Sequence, residues 1–326
     1  MTAQEYIQTK LKELNVPLGL EKPANNEELI EAISKILLSK KFRKYSANPE
    51  LIAHIREAIR TNVEQSKPIN VMFTHGAYKL WRLEETPEVD WAELFALMYY
   101  TKWLAPICEI HEPGVWFDSF VDDLILPKLD NISLTEVETY KSSYRNLLSF
   151  LKQYQPKNFK MTITGVDEQF ESPEAFYQKL EQDVEKFALK LPGGLPVVSK
   201  ERAAMIELNA KPNSQQRADS LWMEKNTLLH DAYISLTKRE AGYTFRPDKI
   251  LAFTQPLPSG VFLAVGSTKD SIAKFWTGVG VLNTRNDSFR QGILSPNQLE
   301  KAKFTWENIA LKDLNGKNFG RIRVVL

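Results

Sequence analysis

The sequence predicts an α/β fold with a mostly parallel, Rossmann-like sheet flanked by helices, an N-terminal helical layer and a β-rich C-terminal part. Three observations lead to this prediction. Residues 1–65 carry apolar side chains at helical spacing. From residue 66 onward, short strand-like segments alternate with long amphipathic, helix-like ones. This order is typical of parallel sheets. After Pro247, short strand-like segments follow one another with Gly, Asn and Pro between them.

The first 65 residues are predicted to form helices that pack on the rest of the chain. Apolar residues recur at helical spacing in residues 27–42. A second helix begins at Pro49, a position where proline is tolerated because the first turn needs no N–H partner. No linker separates residues 66–326 into parts, so we expect a single catalytic-type α/β domain there.

In the α/β part, predicted strands alternate with predicted helices, as a parallel sheet requires. Strands are predicted at 68–73 and 158–165, and residues 114–126 indicate one strand or two short ones. A helix that starts at Asp90 is expected to break near Pro106. Further helices are predicted over 133–154, 172–189 and much of 199–240.

The C-terminal part is predicted to be β-rich, either as an extension of the same sheet or as an antiparallel section. The turn signal NGKN occupies residues 315–318. The strand-like segments are 249–256, 260–267, 274–283, 303–311 and 320–326.

Composition excludes several classes of function. A net charge of +1 over 326 residues provides no basic field for nucleic acid. One cysteine and four dispersed histidines argue against a disulfide framework and a zinc site. The N-terminus lacks the apolar core of a signal peptide, and no long apolar run suggests a membrane partner. We therefore expect a cytoplasmic protein.

The segment after the first strand is the main candidate site. His75, Gly76 and Lys79 follow residues 68–73, and parallel sheets place their sites outside the carboxyl ends of the strands. Lys79 has the chemistry to bind a phosphate or carboxylate, or to act as an amine base. A solvated lysine in a polar loop is equally compatible with the spacing.

Asp90 and Glu93 stand at capping-box spacing at the start of the next helix. We favour a helix cap for Asp90 because aspartate is a preferred N-cap residue. Glu93 lies in the first turn and either reaches back to the cap or faces the pocket.

Two charged clusters have both a binding and a surface interpretation. Residues 118–123 contain three aspartates that suit a cation or an amine, although a solvated turn is commoner. Four cations between residues 269 and 290 suit an anion site, or are scattered on the surface. The pair Gly278-x-Gly280 is not a dinucleotide fingerprint because no helix follows it; it suits a strand pressed against another backbone or a ligand.

Several stretches, in order, resemble motifs of the isonitrile synthase family of pyoverdine and dityrosine biosynthesis. The resemblance extends over about residues 60–320 and departs from the family where Gln255 and Glu307 stand in place of two histidines, and where His111 stands in place of a tyrosine. The stretches are KPINVMFTHGAYK, PEVDWAEL, ICEIHEPGVWF, LPKLDNISLTEVETYKSSYRNLL, PDKILAFTQP and KFTWENIALKDLNGK.

The resemblance implies a transferase or lyase reaction of secondary metabolism that uses no cofactor and no metal. The amine of an amino acid condenses with the ketone of ribulose 5-phosphate, and the sugar supplies one carbon of an isonitrile. The implied catalytic residues are His75, Lys79, Glu93 and Glu307. The implied substrate-binding residues are Arg82, Asp122, Gln255, Lys269, Lys274 and Trp306.

The departures leave an alternative open. A small-molecule or partner-binding protein that keeps the fold without catalysis is the second hypothesis. The partners expected under the first hypothesis are small-molecule substrates, and a homodimer is compatible with the sequence.

Overall fold

Two five-stranded sheets organise the part of the chain that the computed structural model describes. The first has the strand order β3-β2-β1-β4-β5 and is parallel, with helices flanking it. The second has the order β6-β8-β7-β10-β9 and is mixed. The predicted fold class is confirmed. The described residues are 1–79, 87–200, 202–203, 206, 219–240, 247–254, 262–286 and 288–326.

The first sheet is built around a strand that is buried along its whole length. β1 pairs in parallel with β4, with Val71 opposite Ile250. Apolar, β-branched strands of this kind are typical of a parallel sheet covered on both faces. The strands are β1 (Ile69–His75), β2 (Val115–Val121), β3 (Phe159–Gly165), β4 (Lys249–Phe253) and β5 (Leu263–Ala264).

Helices occupy the N-terminal segment and the connections between strands. The predicted proline start is confirmed, because Pro49 occupies the first turn of α3 and Asn48 caps it. α3 packs against β1 and β4. The helices are α1 (Ala3–Lys12), α2 (Asn26–Leu37), α3 (Pro49–Glu64), α4 (Trp91–Ile110), α5 (Leu126–Leu129), α6 (Leu134–Leu151), α7 (Pro173–Ala188), α8 (Ser220–Glu240) and α9 (Pro296–Leu299).

The helix α4 is buried on nearly all sides because α2, β7 and β8 pack around it. The predicted break near Pro106 is wrong, since α4 continues to Ile110 with the proline inside it. Leu104, Ile107 and Ile110 are buried on both sides of the proline. Their packing outweighs the backbone hydrogen bond that proline removes.

Neither of the two alternatives that the sequence left open for the C-terminal part describes the whole of it. β4 and β5 extend the first sheet, whereas the later strands form a sheet of their own. β7 and β8 make an antiparallel hairpin that turns between Arg285 and Ser288. The strands are β6 (Asp270–Ser271), β7 (Val279–Arg285), β8 (Ser288–Leu294), β9 (Phe304–Asn308) and β10 (Arg321–Val325).

Two boundaries and one strand differ from the sequence prediction. β7 begins at Val279 rather than at residue 274. β8 was not predicted, because polar residues interrupt its apolar pattern. β2 ends at Val121, and the apolar run that follows it enters the short helix α5. A run of apolar residues does not distinguish a strand from a buried helical turn.

The chain divides into two compact units. The first comprises residues 1–120, 138–163 and 245–326, and the second comprises 121–137 and 164–244. The N-terminal helices belong to the first unit. In the second unit α7 packs against α8, with the rings of Phe176 and Tyr233 6.2 Å apart. The separate N-terminal segment proposed for residues 1–65 stays a prediction.

None of the described helices combines the length and the apolar character that a bilayer crossing requires.

A close backbone contact lets β7 pack against the first turn of α4. A Cβ on Gly280 would lie 2.3 Å from the backbone N of Ala92 and 2.4 Å from the carbonyl carbon of Trp91. The prediction that this glycine lies in a strand pressed against another backbone is therefore confirmed.

We expect Gly280→Ala to destabilise the protein by about 1–3 kcal/mol, because neither backbone can move aside cheaply. Gly320→Ala is the matched control, since nothing lies within 4 Å of its added Cβ. The control should change stability by less than about 0.5 kcal/mol. Urea denaturation of both variants measures the difference, and equal midpoints would contradict the close contact.

Candidate functional site

A buried ion cluster joins the segment after β1 to the start of α4. The ammonium nitrogen of Lys79 lies 2.8 Å from Asp90 Oδ1 and 3.0 Å from Glu93 Oε2. It also donates a hydrogen bond of 2.6 Å to the carbonyl oxygen of Phe275. The Lys79 side chain is fully buried. These contacts use the three donors of the ammonium group, so Lys79 is held as a structural cation in this arrangement.

The cluster forms because the local sequence builds a capping box at the N-terminus of α4. Asp90 Oδ1 accepts a hydrogen bond from Ala92 N at 2.8 Å, and Glu93 Oε2 accepts one from Asp90 N at 2.9 Å. The cap predicted for Asp90 is confirmed. The second carboxylate oxygen of Asp90 accepts a hydrogen bond of 3.1 Å from Gly280 N, which ties β7 to the same point.

The charges of the cluster do not balance when both carboxylates are ionised. Two carboxylates share one ammonium in a site without solvent. Burial raises the pKa of Glu93 to about 8; the Lys79 ammonium opposes this rise and the neighbouring Asp90 adds to it. Glu93 therefore holds a proton near neutral pH. The hydroxyl of Tyr140 donates to Glu93 Oε1 at 3.2 Å, and burial raises the pKa of Tyr140 well above its usual value.

His75 ends β1 inside an aromatic box. Its ring centroid lies 4.9 Å from that of Phe275, 5.5 Å from Tyr144 and 5.6 Å from Trp276. Burial lowers the pKa of His75 to about 3, although a hydrogen bond to Gly76 raises it. The ring is thus neutral. Its Nδ1 lies 3.0 Å from the Gly76 carbonyl oxygen, and its Nε2 has no hydrogen-bond partner among the described residues.

The ends of β1 and β4 form the point where the strand order of the first sheet reverses. From β1 the chain adds β2 and β3 on one side, and then β4 and β5 on the other. Ligands of open α/β sheets bind at such a switch point. Thr254 directly follows β4, is buried, and its hydroxyl has no hydrogen-bond partner within the described ranges. His75 at the end of β1 and Thr254 directly after β4 thus each carry a polar atom without a hydrogen-bond partner among the described residues.

Among the other predicted site residues that the structure describes, only Lys274 lies near this region. Its ammonium is 5.5 Å from the ring centroid of Phe253 and 5.4 Å from that of Trp276, and Trp276 also packs on His75. Arg82 and Gln255 lie outside the described residues. Their roles stay predictions.

Three predicted residues make their contacts elsewhere in the first unit. Glu307 accepts a hydrogen bond of 3.0 Å from Ala3 N at the start of α1. Trp306 is 39% exposed, and the guanidinium groups of Arg321 and Arg323 lie over its ring at 4.1 and 4.2 Å. Lys269 is exposed and lines a surface cleft.

Asp122 belongs to the second unit, where its Oδ1 accepts a hydrogen bond of 2.6 Å from the hydroxyl of Tyr233. This contact gives Asp122 a partner from α8.

Sequence reasoning missed the aromatic residues of the site. Tyr140 and Tyr144 lie on α6, and Phe275 and Trp276 lie in the segment before β7, which was predicted to be strand. The spacing of the two tyrosines, four residues apart on a helix, places them on one face. That spacing was the sequence signal by which the two tyrosines could have been identified.

No protein-family model matches the chain, and no curated protein matches it significantly. Solved structures do match. The fold is similar to that of PvcA. The crystal structure of the PvcA protein from Pseudomonas aeruginosa superposes with a TM-score of 0.63 at 14% sequence identity, covering 91% of this chain and 100% of PvcA. The resemblance that the motifs indicated is confirmed at the level of the fold.

In this PvcA-like fold, the ion cluster around Lys79 lies next to the central strand of the parallel sheet. Lys79 follows the central strand β1 of the parallel sheet, and Asp90 and Glu93 begin the next helix in the chain. At this level of sequence identity, the match with PvcA establishes architecture and leaves the chemistry to the residues themselves.

We expect Lys79→Met to destabilise the protein by about 3–5 kcal/mol, because it leaves the buried carboxylate of Asp90 without its cation. The double variant Lys79→Met/Glu93→Gln should be about as stable as Lys79→Met near pH 7, because the raised pKa of Glu93 favours its protonated form and its replacement then removes no charge. Lys35→Met is the control, since Lys35 pairs with Glu31 at the surface with 75% of its side chain exposed. Urea midpoints of the four proteins test this, and a double variant less stable than Lys79→Met would contradict the charge argument.

A pH prediction follows from the raised pKa of Glu93. The folded chain keeps the Glu93 proton up to about pH 8, whereas the unfolded chain releases it near 4.5. The stabilisation from this proton is complete below the lower value and is lost as pH rises towards the upper one. Glu93→Gln carries no such proton.

The stability of the wild type relative to Glu93→Gln should therefore fall between about pH 5 and about pH 8. Thermal or urea unfolding of both proteins across this range measures it. The comparison cancels the titration of His75, which both proteins contain. A difference that rises with pH would show that Glu93 is ionised in the cluster.

Proposed function

We propose that this protein is an isonitrile-synthase-like enzyme that condenses the amine of an amino acid with ribulose 5-phosphate at the β1/β4 switch point. The observation that carries the proposal is a pair of buried polar groups, on His75 and Thr254, that have no hydrogen-bond partner in the described part of the chain and lie at the reversal of a PvcA-like sheet. Buried polar groups nearly always have partners, and exceptions call for an explanation such as a ligand.

The surrounding residues supply the chemistry that such a condensation needs. An imine forms when the amine nitrogen attacks the ketone carbon and water leaves, so a proton must reach the departing oxygen. Glu93 retains a proton near neutral pH and is hydrogen-bonded to the Tyr140 hydroxyl. We assign proton transfer to this pair and acceptance of a substrate N–H or O–H to the neutral Nε2 of His75.

We propose a role for Lys79 that differs from the one first suggested by its position. Its three donors are occupied by Asp90, Glu93 and Phe275. We therefore propose that Lys79 holds the two carboxylates in place, and that the phosphate charge is met by Lys274, which lies over aromatic rings next to the switch point.

A second candidate function is a binding protein of the same fold without turnover. The occupied donors of Lys79 favour it. So does the position of Glu307, which stands where the family has a histidine and binds the N-terminus of α1. A binding protein would use the same switch point but would leave its ligand unchanged.

Incubation with ribulose 5-phosphate and a panel of amino acids, followed by mass spectrometry for an isonitrile product, tests the first candidate. We expect product with the wild type and a loss of at least about a hundredfold with Glu93→Gln, since general acid–base catalysis contributes at least that much. Glu57→Gln on α3 is the exposed control and should retain activity.

Thr254→Val locates the site independently of the chemistry. It removes a hydroxyl without a described partner and keeps the shape of the side chain, so folding stability should not fall. Substrate affinity should fall severalfold, the effect of about 1 kcal/mol of lost hydrogen bonding. Ligand-induced stabilisation without product in the wild type would favour the binding protein, and neither product nor stabilisation would contradict both candidates.

A further inference from the structure

A cleft on the first unit lies between α1, α4 and the start of β8, and the proposed reaction makes no use of it. Its volume is about 270 Å³. The wall is largely aromatic and apolar, formed by Tyr6, Met98, Tyr99 and Trp103. Ligand pockets combine such walls with a few placed polar groups.

The rim of this cleft is strongly cationic although the whole chain is nearly neutral. Four basic residues line it, Lys10, Lys102, Lys269 and Arg290, against the single carboxylate of Glu13. Glu13 pairs with Lys10 at 2.8 Å. Within the described ranges, no carboxylate lies at ion-pair distance from Lys102, Lys269 or Arg290. These three cations, from three separate parts of the chain, thus line one cleft without a described carboxylate close enough to pair with them.

The wall of the cleft is fixed by contacts of its own. The rings of Tyr6 and Phe289 meet edge to face with centroids 5.8 Å apart. The hydroxyl of Tyr99 donates to the carbonyl oxygen of Lys41. Gln291 contacts Met98 through its amide nitrogen, 3.6 Å from the sulfur. A wall held in this way is formed before any ligand binds, which lowers the cost of binding.

We propose that this cleft binds a small aromatic carboxylate, with the ring against the apolar wall and the carboxylate at Lys269 and Arg290. The size of the cleft, just below the roughly 300–1,000 Å³ of pockets for larger ligands, suits a single ring system. An arginine and a lysine together bind a carboxylate through charge-assisted hydrogen bonds. The inference does not depend on the proposed reaction, because no residue of the switch point takes part.

Isothermal titration with 4-hydroxyphenylacetate tests the proposal, using its neutral amide and inorganic phosphate as matched probes. We expect the carboxylate to bind and the amide to bind at least about tenfold more weakly, a difference of about 1.4 kcal/mol from the lost charge interactions. The affinity should fall as salt concentration rises, since the cations are near the surface. Phosphate, which has charge but no ring, should bind more weakly than the carboxylate.

The double variant Lys269→Gln/Arg290→Gln should lose at least about tenfold in affinity for the carboxylate. Lys35→Gln on α2 is the control and should bind as the wild type does. Thermal unfolding of each variant confirms that the fold is retained. Absence of binding to the wild type at millimolar concentration, equal binding of the amide, or unchanged binding by the double variant would each overturn the proposal.

Discussion

A single buried cation holds together three parts of the first unit. Lys79 follows β1, Asp90 and Glu93 begin α4, and Phe275 and Gly280 belong to the chain that enters the second sheet. Because the cluster is buried, substitution of one of its members is destabilising. It leaves an uncompensated charge in surroundings that solvate it poorly. The cluster therefore ties the first turn of α4 to the segment after β1 and to β7.

The protein has basic side chains in two kinds of surroundings, buried in the fold or exposed at a cleft, and the surroundings indicate different roles for them. Lys79 is buried and has all its donors satisfied, so its charge serves the fold. Lys269 and Arg290 lie at an open cleft without a described countercharge, so their charge is available to a ligand. Residue type alone does not separate these cases, because a lysine close to a strand end in the sequence has the same chemistry in both.

The likeness to PvcA and the departures in sequence bear on different questions. The architecture is retained at 14% identity because a fold requires a pattern of apolar and polar residues and a well-packed core rather than particular side chains. A reaction requires particular groups at particular distances. The groups at the switch point are His75, Thr254 and the Glu93–Tyr140 pair, and these carry the functional proposal.

The amino-acid sequence by itself determined the elements that local rules control. The start of α3 at Pro49, the cap at Asp90 and the parallel sheet follow from capping preferences and apolar periodicity, which act over a few residues. Tertiary structure decided the rest: the course of α4 through Pro106, the pairing of Lys79 with two carboxylates, and the separation of Glu307 from them. These depend on contacts between residues far apart in the chain, and burial then raises the pKa of Glu93 and lowers that of His75.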